Sequence, residues 1–117
     1  MSTSQRPIND HEMGLLRRLL EGEFAGVAQL REQLPSVQQV EVLDAEGSIR
    51  FRDVDGPLAQ VLHRVPVEGQ YKDADGMHLR ALLHVVDGRL FELEFYKDDS
   101  TQIKRPPQTE DWEVLWL

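Results

Sequence analysis

Residues 77–97, MHLRALLHVVDGRLFELEFYK, constrain the fold more than any other stretch, because apolar and polar side chains alternate on both sides of an Asp87-Gly88 pair. Alternation broken by Asp-Gly is the signature of a β-hairpin. A two-residue turn would pair Val86 with Arg89 and set Leu83 against Glu92, mixing apolar and charged residues on both faces. A three-residue loop, Val86-Asp87-Gly88, with Gly88 left-handed, shifts the pairing by one. Leu79, Ala81, Leu83 and Val85 then share a face with Phe91, Leu93 and Phe95. Arg80 meets Glu94 on the other face, beside His78, His84, Glu92 and Tyr96. Since a one-residue slip turns every side chain over, the buried face favours the three-residue loop.

Asp73-Ala74-Asp75-Gly76 repeats the device upstream and pairs Tyr71 with Leu79 and Val67 with Leu83, leaving Glu68, Gln70 and Lys72 outward. The central strand is thus flanked by residues 65–72 and 89–97. Before it, Val40 and Val42 can pair with Phe51 and Ile49 across Asp44-Ala45-Glu46-Gly47, which sets Glu41 against Arg50 and Gln39 against Arg52. Residues 58–63 are read as a further strand, and Asp53-Val54-Asp55-Gly56-Pro57 as a turn.

Helical spacing is confined to residues 8–34. Asn9 as N-cap with Glu12 three residues on forms a capping box, and Ile8 is placed to pack on Met13. Met13, Leu16 and Leu20, with Leu15 and Leu19 beside them, make the apolar stripe, with Gly22 as the stop. A second helix over 24–34 carries Phe24, Val27, Leu30 and Leu34 and ends before Pro35. Residues 1–7 read as a loose start, and 98–117 as a loop closed by a short strand in which Trp112, Val114 and Trp116 alternate with Glu113, Leu115 and Leu117. The two tryptophans either close the core against the helices or form a contact for a partner. The expectation is one α+β domain, with two N-terminal helices on one face of an antiparallel meander of about five strands, residues 37–97 supplying most of it.

The chain of 117 residues is long enough for one core, and its formal charge of -8 is spread along it. That charge repels phosphate backbones and favours a basic protein partner over nucleic acid. There is no cysteine, which excludes disulfides and thiolate chemistry. No apolar run approaches a bilayer's thickness and MSTSQRPIND lacks the apolar core of a leader, so the expectation is a cytoplasmic chain without membrane contact.

No phosphate-binding glycine loop, G-x-S-x-G or H-E-x-x-H occurs. His78 and His84, six apart on one strand, are about 20 Å from each other at strand rise and cannot share an ion. Glu92 and Glu94 are about 7 Å apart on one face, within the range of paired catalytic carboxylates. Arg80 opposite Glu94 offers a plainer cross-strand ion pair. The D-x-D-G segments at 53–56 and 73–76 lack the remaining oxygens of a calcium loop and read as turns. Neither a cofactor nor a metal site is expected.

Val65-Pro66-Val67-Glu68, Asp73-Ala74-Asp75-Gly76, Leu82-Leu83-His84-Val85, Asp87-Gly88 and Leu93-Glu94, together with the opening PINDHEMGLLRRLLEGEFAG, resemble a family of short, uncharacterised bacterial proteins. The resemblance supports the element boundaries and implies no activity. Three functions stand beside one another. The first is a non-enzymatic interaction module, immunity- or antitoxin-like, capping a basic partner. The second is a small-ligand or enzymatic site on the outer sheet face around His78, His84, Glu92, Glu94 and Tyr96. The third is a homo-oligomer that pairs through the outer face or the terminal strand, with Trp112 and Trp116 as contacts.

Overall fold

The computed structural model describes residues 4–98, 102–103 and 112–117. Among the described residues the architecture is α+β: two helices and seven antiparallel strands, one of which precedes the helices. The elements are β1 (Ser4–Pro7), α1 (Asp10–Leu19), α2 (Val27–Gln33) with a 3-10 turn Leu34–Ser36, β2 (Gln39–Val42), β3 (Ile49–Arg52), β4 (Val67–Lys72), β5 (His78–Val86), β6 (Arg89–Lys97) and β7 (Glu113–Trp116). The strands lie in the order β1-β2-β3-β6-β5-β4-β7.

The capping box opens α1 as expected: Asn9 Oδ1 accepts from the Glu12 amide at 2.8 Å and Glu12 Oε1 accepts from the Asn9 amide at 3.1 Å. Leu15, Leu16, Leu19 and Leu20 are buried and join Val27 and Leu30 of α2 in one cluster with the inward residues of β2 to β6. Within β2–β3, Val40 faces Phe51, Val42 faces Ile49 and Glu41 faces Arg50. Tyr71 faces Leu79 and Val67 faces Leu83 across β4–β5. Each of these pairings is local, set by its own turn and its own apolar pattern.

The sheet departs from a meander in sequence order. β3 pairs with β6, Ile49 against Leu93 and Arg50 against Glu92, so residues 53–66 must cross the ends of β6 and β5 to reach β4. Residues 58–63 are therefore not a strand but part of that crossing. Residues 4–7, read as loose, form an edge strand with Gln5 against Glu41 and Pro7 against Gln39. A strand Pro lacks a donor and is tolerated at such an edge.

The β5–β6 ribbon takes neither of the registers weighed above. Asp87 (φ 52°) and Gly88 (φ 76°) make a two-residue turn with both residues left-handed, pairing Val86 with Arg89 and Val85 with Leu90. The register then slips, and His84 faces Glu92 while Leu83 faces Leu93. Phe91 is the extra residue of a β-bulge. The bulge reconciles the turn that Asp-Gly prefers with the apolar face that the core requires. Leu90, not Phe91, enters the core, and Arg80 faces Tyr96 instead of Glu94.

β7 lies against β4 with Gly69 opposite Val114. Trp112, 5% exposed, stacks on Tyr71 with centroids 6.3 Å apart and meets the edge of Phe95. Gly69 makes room for it, since a Cβ there would stand 2.4 Å from the indole. Trp116 donates its Nε1–H to the Leu19 carbonyl at 2.8 Å, tying β7 to the last turn of α1. Trp112 is thereby withdrawn from the surface that a partner could touch.

Candidate functional site

Two regions outside the core combine geometry with chemistry. On the outer sheet face the bulge at Phe91 sets Glu92 directly across from His84, and Glu94 lies one pleat further along β6. Ligand atoms of His84, Glu92 and Glu94 all lie within 4.8 Å of one another. Three of the five outer-face residues singled out from the sequence thus converge. His78 stands at the far end of β5 opposite Lys72, and Tyr96 lies beside Arg80. His63 is an exposed loop residue.

The cluster is wired to arginines. Arg50 Nη2 donates to Glu92 Oε1 at 3.1 Å, and Arg64 Nε donates to His84 Nδ1 at 3.1 Å. A guanidinium carries donors only, so Nδ1 must be the acceptor and the ring proton sits on Nε2. That proton points at Glu94 Oε1, 2.9 Å away. The guanidinium carbons of Arg50 and Arg64 stand 4.8 and 5.7 Å from the Phe91 ring centroid, within cation–π range. Further along the face Arg80 donates to Asp98 and Glu68, and those hydrogen bonds hold its pKa above the ordinary arginine value. Burial, joined by nearby carboxylates, raises the Tyr96 hydroxyl. A groove of about 300 Å³ beside Arg80 is lined by Glu68, Gln70, Glu113, Val114 and Leu115.

The second region is the crossing segment 53–66. It has no helix or strand, yet it is tightly held from below. Gln33, fully buried, donates through Nε2 to Pro57 O (2.7 Å) and Gly88 O (2.8 Å) and accepts from the Leu90 amide at 3.0 Å. The Ala59 amide also donates to Gly88 O at 2.9 Å, the Val85 amide to Arg64 O at 2.8 Å, and Ser36 Oγ to Asp55 O at 2.9 Å. Gly26 (φ +92°) and Gly88 allow the close approach: a Cβ at either would come within 3.1 Å of Ala59 or Leu58 atoms. So held, the segment exposes Leu62 (78%) and Leu58 (55%) with Asp53 and Asp55, and the acidic turn residue Asp87 is exposed beside Gly88.

Sequence reasoning missed this loop because it assigned 58–63 to a strand. A segment of this length without regular structure is uncommon in a compact domain and usually functional. The signal was present in Gly56-Pro57 and in the failure of Leu58-Ala59-Gln60-Val61-Leu62 to alternate.

At the opposite end of the ribbon the fully buried Lys97 ammonium meets Asp73 at 3.0 Å, Asp75 at 2.5 Å and Gln102 O at 3.2 Å. Burial alone would lower the Lys97 pKa, but the two carboxylates outweigh it and raise it; the hydrogen bond from Lys97 lowers that of Asp75. No helix among the described residues is long and apolar enough to cross a membrane.

Fold and surface together define a small α+β domain whose chemistry lies on an ion-paired sheet face and a pinned loop that exposes Leu58 and Leu62. The chain belongs to the family of the domain of unknown function DUF6984, whose model matches residues 5–107. No curated protein and no solved structure matches the chain.

Proposed function

We propose that the chain is a non-enzymatic protein-binding module, acting as an immunity protein or antitoxin does, and that residues 53–66 form its contact with a basic partner. The observation that carries this reading is the exposure of Leu58 and Leu62 on a backbone pinned by Gln33 and Gly88. Large apolar side chains held outward on a rigid frame lose little entropy on binding and become the buried centre of an interface. Asp53, Asp55 and Asp87 are exposed at the same end of the sheet, outnumber the exposed Arg64 and Arg89 there, and favour a partner whose contact surface is rich in lysine and arginine. The overall charge of -8 steers the same class of partner over longer range.

The test is affinity capture from the cells that make the protein, at low and high salt, with the wild-type chain and the L58D/L62D variant, each checked for folding by circular dichroism. The wild type should retain a basic protein that salt weakens and the double variant releases, while Leu117→Asp, just beyond β7, should retain it. Identical capture by wild type and double variant would sink the reading.

A further inference from the structure

We propose that His84, Glu92 and Glu94 form a site for a divalent transition-metal ion, and that Arg64 competes with the ion for the histidine ring. The three ligands lie on the sheet and do not depend on the loop contact, although Arg64 belongs to the crossing segment.

One imidazole and two carboxylates, with ligand atoms all within 4.8 Å, need only small rotamer changes to reach the separation of about 3–4 Å that bonds of about 2.0–2.2 Å to one ion impose. All three side chains project from paired strands, a firmer base than a loop. Without the extra residue at Phe91, the turn at Asp87-Gly88 would carry Glu92 to the inner face opposite Leu83, so the irregularity is what puts a carboxylate across from His84. Bulges recur where a strand re-aims a side chain at a site.

Nε2–H points at Glu94 Oε1, so a proton occupies the place where a cation would bridge the ring and the carboxylate. For Nε2 to ligate, the ring proton must move to Nδ1 through solvent, and Arg64 Nε, which cannot share a protonated nitrogen, must leave. The imidazole stays neutral throughout and gains no net proton. Arg50 can remain on Glu92 Oε1 and orient that carboxylate as an outer partner of a ligand. A mixed N/O donor set suits Zn²⁺ or Mn²⁺, whereas Mg²⁺ and Ca²⁺ favour oxygen alone.

The experiment titrates the full chain with Zn²⁺ by calorimetry against a competing chelator, with ¹⁵N NMR of the histidine rings alongside. One equivalent should bind, His84 should change from the Nε2–H to the Nδ1–H form, and millimolar Mg²⁺ should not displace the ion. His84→Ala and the near-isosteric Glu94→Gln should each weaken binding by about tenfold or more, Arg64→Ala should tighten it, and His78→Ala should leave it unchanged. Circular dichroism shows whether each variant is folded. Binding by His84→Ala equal to that of the wild type, or no saturable binding at millimolar Zn²⁺, overturns the site. An unchanged affinity in Arg64→Ala overturns the competition.

Discussion

Gln33 and Lys97 are both fully buried polar side chains, and they hold opposite ends of the β5–β6 ribbon by different physics. Gln33 offers an amide to three neutral backbone groups, so nothing charged leaves water. Gly88 O, which accepts from both Gln33 and Ala59, has both lone pairs used. Lys97 offers three N–H donors to two carboxylates and a carbonyl, a full match for an ammonium, but one that desolvates charges. The difference teaches that the end displaying the exposed leucines is insulated from pH, while the other end depends on the protonation of its anchors.

The largest expected effect is at Gln33. Gln33→Ala leaves the buried Leu90 amide without its acceptor, removes two donors from the loop carbonyls and should cost about 3 kcal/mol. Gln33→Glu keeps the volume but sets an acceptor against two carbonyl oxygens, so at neutral pH it should cost at least as much. A buried carboxyl has a raised pKa. The cost of Gln33→Glu is therefore full above that raised value and shrinks as the pH falls toward the unfolded glutamate value of about 4.3. Urea unfolding at pH 7.5 and pH 5 reads both effects. Losses under about 1 kcal/mol in both variants would mean that the loop is anchored elsewhere, and the contrast between the two ends would fall.

A smaller, local effect is expected at the Lys97 end in acid. The Asp75 pKa is lowered, so its contribution is full above the ordinary aspartate value of about 3.9 and is lost as pH falls through the lower folded value. The Lys97 pKa is raised, so its contribution is full below about 10.4 and is lost as pH rises through the folded value. At pH 3, hydrogen exchange corrected for intrinsic rates should show the Gly76 and Asp98 amides, bonded to Asp73 O and His78 O, losing protection before those of Ala59 and Leu90. The opposite order would contradict the assignment of charge dependence to this end.

What the sequence disclosed follows the same line between local and distant causes. Asn9 and Glu12 are three residues apart, and the Val40–Phe51 and Tyr71–Leu79 pairings are set by short turns, so each could be read from its neighbours. The bulge could not: the apolar pattern and the Asp-Gly turn disagreed by one residue, and either could have yielded. The core across the sheet decides, through Leu90 and Leu93. Gln33 meets Leu90 across a separation of 57 residues, and nothing in its surroundings in sequence marks it as buried. His84, Glu92 and Glu94 were recognised as sharing a face, but an unbulged pairing gave Glu94 to Arg80 and hid their convergence. Lys97 has the inward parity of Leu93 and Phe95, yet a lysine at a strand end reads as solvated until Asp73 and Asp75 are brought beside it by the neighbouring turn.

Glu12 tests the comparison from between its extremes, and its effect should be the smallest. It is charged and buried like Lys97, but its partner Arg6 keeps 39% of its side chain in water. Burial pushes the Glu12 pKa up, and hydrogen bonds from Arg6 and the Asn9 amide outweigh it, leaving the value below the ordinary glutamate range. Gln at the same position can still cap the helix, so Glu12→Gln removes the charge while retaining the box. Thermal melts at pH 7 should show a loss of about 0.5–1 kcal/mol, reduced by salt because the pair is partly exposed. As the pH falls below about 4.3 and through the lowered folded value the difference from wild type should close, since the contribution of a lowered carboxylate is full above its unfolded value and is lost at its folded one. If Glu12→Gln cost as much as Gln33→Ala, the exposure of the partner would not be what separates a strong anchor from a weak one. The two buried ends would then have to be distinguished by the number of groups each satisfies, three in both cases, which predicts no difference between them.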